Sequence, residues 1–247
     1  MNQFRTSFWD SIPPVVKNLI IINVLMWLAT MALSYTSSQI NLSDYLGLHY
    51  FQSQAFRPYQ LVTYMFMHGG LEHLFFNMFG LFIFGGILEQ TLGQKRFLTY
   101  YMVTGIGAGL IQMLVYHFQI QAIAGTLPVE ALNLVKSEGY ELLQSHRNWI
   151  DPNLSRLNLL FNTCTVGASG SIFGILLAFG IMFPNMPLYI LFIPVPVKAK
   201  YYVIGYGLIE LYLGVANYSG DNVAHFAHLG GMLFGFFLIW RWRRRGI

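Results

Sequence analysis

Thr165-Val166-Gly167-Ala168-Ser169-Gly170-Ser171-Ile172-Phe173-Gly174 is a serine held between glycines at the head of a long apolar run. A hydroxyl needs no glycine neighbours to sit in a helix. Glycine on both sides indicates that something comes close to Ser169: another helix, a substrate backbone or a catalytic partner. The run continues to Phe183, long enough to enter a bilayer. The stretch suggests a nucleophile placed inside a membrane. Standing alone it would more often be plain helix packing, because serine and glycine are common where membrane helices touch. The rest of the chain decides between the two.

Of the 247 residues, 55% are hydrophobic, 17% aromatic and only 10% charged, with a mean hydropathy of +0.51. Soluble domains carry about 25% charged residues. The shortfall points to a polytopic membrane protein. Its apolar runs are continuous and separated by clustered charge, so the spans are helical rather than the alternating strands of a barrel. Cys164 is the single cysteine, so an internal disulfide is impossible. A pI near 9.1 would suggest nucleic acid in a soluble protein. In a membrane protein the placement of lysine and arginine matters more, and no nucleic-acid partner is expected. The first apolar run follows a polar start and lacks a small-residue cleavage pattern, so no cleavable signal peptide is expected.

The expected fold is an all-α bundle of six transmembrane helices with both termini cytoplasmic. Residues 1–18 read as an interfacial lead-in closed by Pro13-Pro14, 19–240 as the six-helix domain, and 241–247 as a basic tail. The spans are placed at Leu19–Tyr35, Leu71–Leu88, Phe97–Phe118, Gly167–Phe183, Tyr201–Ala216 and Phe226–Trp240. Gly105, Gly107 and Gly109 predict a close-packing face on the third. Residues 119–162 are a polar, extracytoplasmic insertion expected to hold one or two amphipathic helices. Residues 184–200 are too broken by Pro187, Pro194 and Pro196 to cross. This arrangement puts Arg5, Lys17, Lys95, Arg96, Lys198, Lys200 and the tail arginines inside, leaving Arg57, Lys136, Arg147 and Arg156 outside. The opposite orientation would invert that positive-inside bias.

Polar residues in a bilayer are costly and are functional candidates. They form three clusters. His68, Glu72, His73 and Asn77 enter the second span, Gly167 to Gly170 the fourth, and His225 to Gly231 the sixth. In the topology above all three lie at the outer ends of their helices, at one shallow depth. His73 and Asn77, four apart, share a helix face. Gly170 and Gly174, and likewise Gly231 and Gly235, are spaced for close helix contact, which would bring Ser169 beside His228. Serine becomes a nucleophile when a base takes its proton, and imidazole is the usual base near neutral pH. The side chains of His73 and Asn77, with the Ser169 backbone N–H, can supply donors to an oxyanion. A Ser–His dyad is expected. Asp221, in the loop before His225, reads as a solvated turn residue. Glu210 is an acid in an apolar run that either bonds within the bundle, is protonated, or lies near the water layer. His225 reads as a rim residue, His68 as a loop organiser and Cys164 as inert.

These clusters resemble those of the rhomboid family of intramembrane serine proteases. The resemblance rests on His68, His73 and Asn77 in span two, Gly167, Ala168, Ser169 and Gly170 in span four, and Ala227, His228 and Gly231 in span six. It covers about Leu19 to Trp240. It implies that Ser169 is the nucleophile and His228 the general base. It implies an oxyanion hole of His73, Asn77 and the Ser169 backbone, with Gly167, Gly170, Gly231 and Gly235 packing beside the site. It also implies cleavage of single-pass or polytopic membrane proteins near their extracytoplasmic ends, without metal or cofactor. The chain departs from some members at Tyr59-Gln60, where they carry Trp-Arg, and at Phe173, where they carry tyrosine; phenylalanine keeps the stacking face. The expected location is a cell membrane, that of a bacterium. Three other readings compete: a metal or haem protein using His68, His73, His225 and His228; a non-catalytic relative that binds membrane proteins; and a transporter. The first leaves the glycine–serine stretch unexplained, the second sits poorly with an intact Ser169 and His228, and the third expects polar groups at mid-depth on broken helices.

Overall fold

The computed structural model describes residues 8–35, 40–189, 195–216 and 223–246. Its helices are α1 (Pro14–Ser34), α2 (Leu71–Leu92), α3 (Gln94–Ala124), α4 (Val129–Gln144), α5 (Pro152–Asn162), α6 (Ser169–Met182), α7 (Ala199–Ala216) and α8 (His225–Arg243), with short helical turns at Phe8–Ser11, Leu42–Leu46 and Gln60–Thr63. Each expected span corresponds to one of α1, α2, α3, α6, α7 and α8, the fourth being shorter at both ends, Ser169–Met182 in place of Gly167–Phe183. By length and apolarity α1, α2 and α3 can cross a membrane, and α6 is a shorter apolar helix of 14 residues. This is an all-α membrane fold. Two pairs of two-residue strands, β1 (Leu48–His49) with β2 (Cys164–Thr165) and β3 (Pro187–Leu188) with β4 (Val197–Lys198), clip its loops.

The helix ends differ from the sequence reading for local reasons. Residues 14–18, expected in the lead-in, already belong to α1. Proline is tolerated in a first helical turn, and the carboxylate of Glu89 accepts the N–H groups of Val15 and Val16 at 2.9 and 2.8 Å. Helix α2 runs on to Leu92 through a π-helical turn at Leu81–Gly85. Helix α3 continues to Ala124, so the first residues of the 119–162 insertion extend a span. The remainder forms α4 and α5. Asp151 caps α5 by accepting from Leu154 N–H at 2.9 Å, with Pro152 beginning the helix. The pair is joined by Asn162, which donates to the Val135 carbonyl of α4 at 3.2 Å and to Asn158 of its own helix at 2.8 Å; Asn158 in turn donates to Asn148 in the connecting loop at 3.0 Å. Its apolar side rests on Tyr50 and Ile120.

Helix α3 is the centre of the bundle. A Cβ at Gly105 would collide with Met65 and Ser171, one at Gly107 with Phe234, and one at Gly109 with Leu48. Residues two apart point about 200° apart around a helix. The three glycines therefore admit neighbours on opposite sides, rather than forming the single face expected. Lipid-like surroundings give no hydrophobic drive between helices, so close backbone contact and hydrogen bonds hold them. Tyr64 and Tyr100, both buried, donate to the carbonyls of Gly105 and Gly174 at 2.6 and 2.7 Å. Gln60 ties up the first loop. Its amide nitrogen donates to the carbonyls of Tyr45 and Ala55, and its oxygen accepts from Arg57 N–H at 3.0 Å.

Candidate active site

Ser169 occupies the first position of α6. The segment before it is held on one side by the β1–β2 pairing, Leu48 with Thr165 and His49 with Cys164. On the other, Gly167 N–H donates to the Tyr64 carbonyl at 2.9 Å. Gly167 has φ +131°, a region side chains rarely adopt. A Cβ there would also lie 2.8 Å from the His73 ring and 3.5 Å from Ser169 Oγ, so His73 borders the nucleophile. Helices α6 and α8 meet through glycine: a Cβ at Gly231 would overlap the Gly170 carbonyl, and one at Gly235 would lie 3.4 Å from the Gly174 backbone. A Cβ at Gly170 would overlap Ala108 of α3. These contacts set Ser169 against α8.

There, Ser169 Oγ lies 2.8 Å from His228 Nε2. The imidazole stacks on Phe173, with centroids 4.1 Å apart and planes 7° apart; Phe173 stacks in turn on Tyr206 of α7 at 5.2 Å and 11°. Beyond the expected pair, His228 Nδ1 lies 2.8 Å from Glu210 Oε2, and His225 Nδ1 lies 2.7 Å from the same oxygen. A carboxylate only accepts, so both imidazoles donate from Nδ1. That leaves His228 Nε2 to accept the Ser169 hydroxyl proton. Glu210 is 6% exposed, so of the three sequence readings of it, bonding within the bundle is the one the structure has. His225, expected at the rim, is buried at 7% because it turns onto Glu210. Asp221 lies outside the described residues.

The place of Glu210 beside the two histidines escaped the sequence reading, which left bonding within the bundle as one of three options, because no motif contains it and it stands on a different helix from either histidine. A signal was present. Ala199, Val203, Gly207, Glu210 and Gly214 recur at helical spacing, and small residues on one face mark the contact side of a membrane helix. In the structure Gly207 faces Met232, and Gly214 faces Phe226 and His225. An acid in that row must point inward.

Around the serine, His73 is placed as described and Asn77 lies one turn further along α2. Asn77 is 6% exposed, and its Nδ2 has no hydrogen-bond partner among the described residues. Gly80, in the next turn of α2, faces Ile172, in the next turn of α6, with 3.1 Å between the position of a Cβ and the Ile172 side chain. Helix α2 thus lies along α6 at the level of the serine. The backbone N–H groups of the first turn of α6 have no carbonyl partner within their helix. These N–H groups are the candidate donors to an oxyanion at Ser169. His68, in the loop before α2, packs edge-on against the His73 ring at 5.1 Å, and burial pushes its pKa down to about 3, leaving it neutral.

The donor atoms of Glu210, His225 and His228 lie within 4.8 Å of one another and could hold a metal ion. The four-histidine set considered from the sequence is not gathered in this way. Among the described residues His68 pairs with His73, while His225 and His228 share Glu210.

Apolar helices that hold a half-buried serine hydrogen-bonded to a buried histidine, where two glycine-rich helices touch, define a class: integral membrane proteins with a hydrolase-like pair. The chain belongs to the rhomboid family, the Rhomboid domain matching residues 55–245. It is 27% identical over 231 residues to Rhomboid-like protein 11, chloroplastic, of Arabidopsis thaliana, covering 81% of this chain and 62% of that one. It is 29% identical over 177 residues to RHOMBOID-like protein 12, mitochondrial, of the same plant, covering 71% and 44%. Over 93 residues it is 30% identical to the rhomboid protease GlpG of Haemophilus influenzae, covering 36% and 48%. The matches thus span between 44% and 62% of the length of these relatives. The plant names place those two proteins in chloroplasts and mitochondria, which lends no support to a bacterial plasma membrane in particular.

Proposed function

We propose that this chain is an intramembrane serine endopeptidase that cuts membrane-embedded proteins near their extracytoplasmic ends. The observation that carries the reading is the 2.8 Å contact between Ser169 Oγ and His228 Nε2, with Nδ1 of the same ring committed to a carboxylate. His228 Nε2 takes the hydroxyl proton as Oγ attacks the scissile carbonyl carbon. The oxyanion is met by His73, Asn77 and the Ser169 N–H. The C–N bond then breaks, the proton passes from Nε2 to the leaving amine, and the acyl group stays on Oγ. Water repeats the sequence, giving its proton to Nε2 and its oxygen to the acyl carbon, and Ser169 is restored.

Six spans with cytoplasmic termini put this site at the outer ends of α2, α6 and α8, where water can reach it. Substrate helices must unwind there, because a helical peptide bond is shielded by its own hydrogen bonding. No metal or cofactor takes part in this scheme, and nucleic acid is no partner. The test is co-reconstitution with a single-pass reporter in liposomes, followed by mass spectrometry of the fragments. One cut near the outer end of the reporter's span, absent with Ser169→Ala, is expected. Capture of the reporter without cleavage would instead favour a non-catalytic binder.

A further inference from the structure

We infer that Glu210 is a positioning residue for His228, so that the site works as a Ser169–His228–Glu210 relay buttressed by His225. This rests on the protease reading. Three observations lead to it. Glu210 Oε2 accepts from Nδ1 of both His228 and His225, at 2.8 and 2.7 Å. One side of α7 is turned outward, with Tyr201, Ile204, Leu208, Leu211, Tyr212 and Val215 exposed, while Glu210 lies buried in the inward row with Ala199 and Val203. Tyr206, one helical turn before Glu210, stacks on Phe173, which stacks on His228. One face of α7 therefore fixes the imidazole twice, by its plane through the aromatic stack and by its Nδ1 edge through the carboxylate.

The chemistry follows from the bonding. An acid in an apolar helix is costly unless it is paired. Two N–H donors on one carboxylate oxygen satisfy it and leave no freedom for either ring to flip. His228 is then fixed with Nδ1 protonated and Nε2 unprotonated, the one tautomer that can take the serine proton. When Nε2 gains that proton, the nearby carboxylate stabilises the imidazolium. Glu210 never touches substrate. His225 holds Glu210 in place, so removing it weakens the relay without abolishing it.

The test uses the full chain in detergent, a fluorophosphonate probe and the saturation kinetics of labelling. Glu210→Gln, near in shape and still able to accept through its amide oxygen but without the charge that stabilises the imidazolium, is expected to lower the maximal labelling rate about 10- to 1,000-fold with the probe's half-saturation concentration unchanged. Glu210→Asp should recover part of that rate, and His225→Gln should lose less than Glu210→Gln. A merely structural role would lower the melting temperature and leave the maximal rate of the folded fraction intact. A folded Glu210→Gln variant that labels at the wild-type rate overturns the inference. Nitrogen-15 spectra of the wild-type histidines give a reading that needs no variant: His228 protonated at Nδ1 is expected, and protonation at Nε2 overturns it. If wild type itself fails to label, the protease reading fails first; if wild type labels and Glu210→Gln labels equally, only the relay fails.

Discussion

Ser169 is reactive, in this reading, because of what its immediate neighbours permit. Gly167 adopts φ +131° against the His73 ring, and Gly170 lets Ala108 of α3 pack against the first turn of α6. Larger residues at either position would move the hydroxyl or the base. Asn77 is the clearest single-residue test of the oxyanion donors. Replacing it with alanine is expected to lower kcat by about 100- to 1,000-fold with little change in KM, the size typical for one such donor. An unchanged kcat would remove Asn77 from the hole. Cys164 gives a contrasting case. Burial pushes its thiol up to about 12, and Sγ donates to the Ser43 carbonyl at 3.2 Å. Alkylation of the native protein at pH 8 should be slow and rise about tenfold per pH unit, because only the thiolate reacts. Rapid labelling at pH 8 would mean that the β1–β2 clip is open. The motif residues Ser169, His228, His73 and Asn77 were legible in the sequence because each lies in a short pattern at a helix start. Glu210 was not, because its partners His225 and His228 come from another helix and only the bundle brings them to it.

At the scale of elements, helix identity was legible and helix limits were not. The apolar runs located α1, α2, α3, α6, α7 and α8. Their ends depended on distant side chains, as when Glu89 of α2 accepts the first N–H groups of α1. The α3 glycines were legible as close contacts but not as contacts on opposite sides, since sequence gives the spacing and not the neighbours. The α6–α8 seam carries the next prediction. A methyl at Gly231 must displace the Gly170 carbonyl, and overpacking of this kind costs about 1–3 kcal/mol. Gly231→Ala should therefore melt earlier in detergent and label more slowly, because the seam sets the Ser169–His228 separation. Gly205, with nothing within 4 Å of its Cβ position, is the control: Gly205→Ala should change neither property. Equal effects at the two positions would mean that the seam does not govern the site.

For the whole molecule, the central α3, the outward apolar faces and the clipped loops describe a bundle built for lipid. The distribution of lysine and arginine sets its direction. In a Cys164→Ala background, Gln52→Cys in the first loop should react with an impermeant maleimide added to intact cells, and Gln94→Cys at the start of α3 should react only after lysis. The reverse pattern would place the site at the cytoplasmic face and exclude extracytoplasmic cleavage. The insertion was legible as helical and attached, and the Asn162 bond to the Val135 carbonyl that joins α5 to α4 was not, since asparagine in sequence equally marks a turn.

The most direct measurement is fluorophosphonate labelling of the purified full chain, comparing wild type with Ser169→Ala and His228→Ala. Labelling of wild type and its loss in both variants is expected, because the probe captures only a serine whose proton has a base to go to. An unlabelled wild type, with bound metal found by elemental analysis, would contradict the protease reading and make Glu210, His225 and His228 ligands instead.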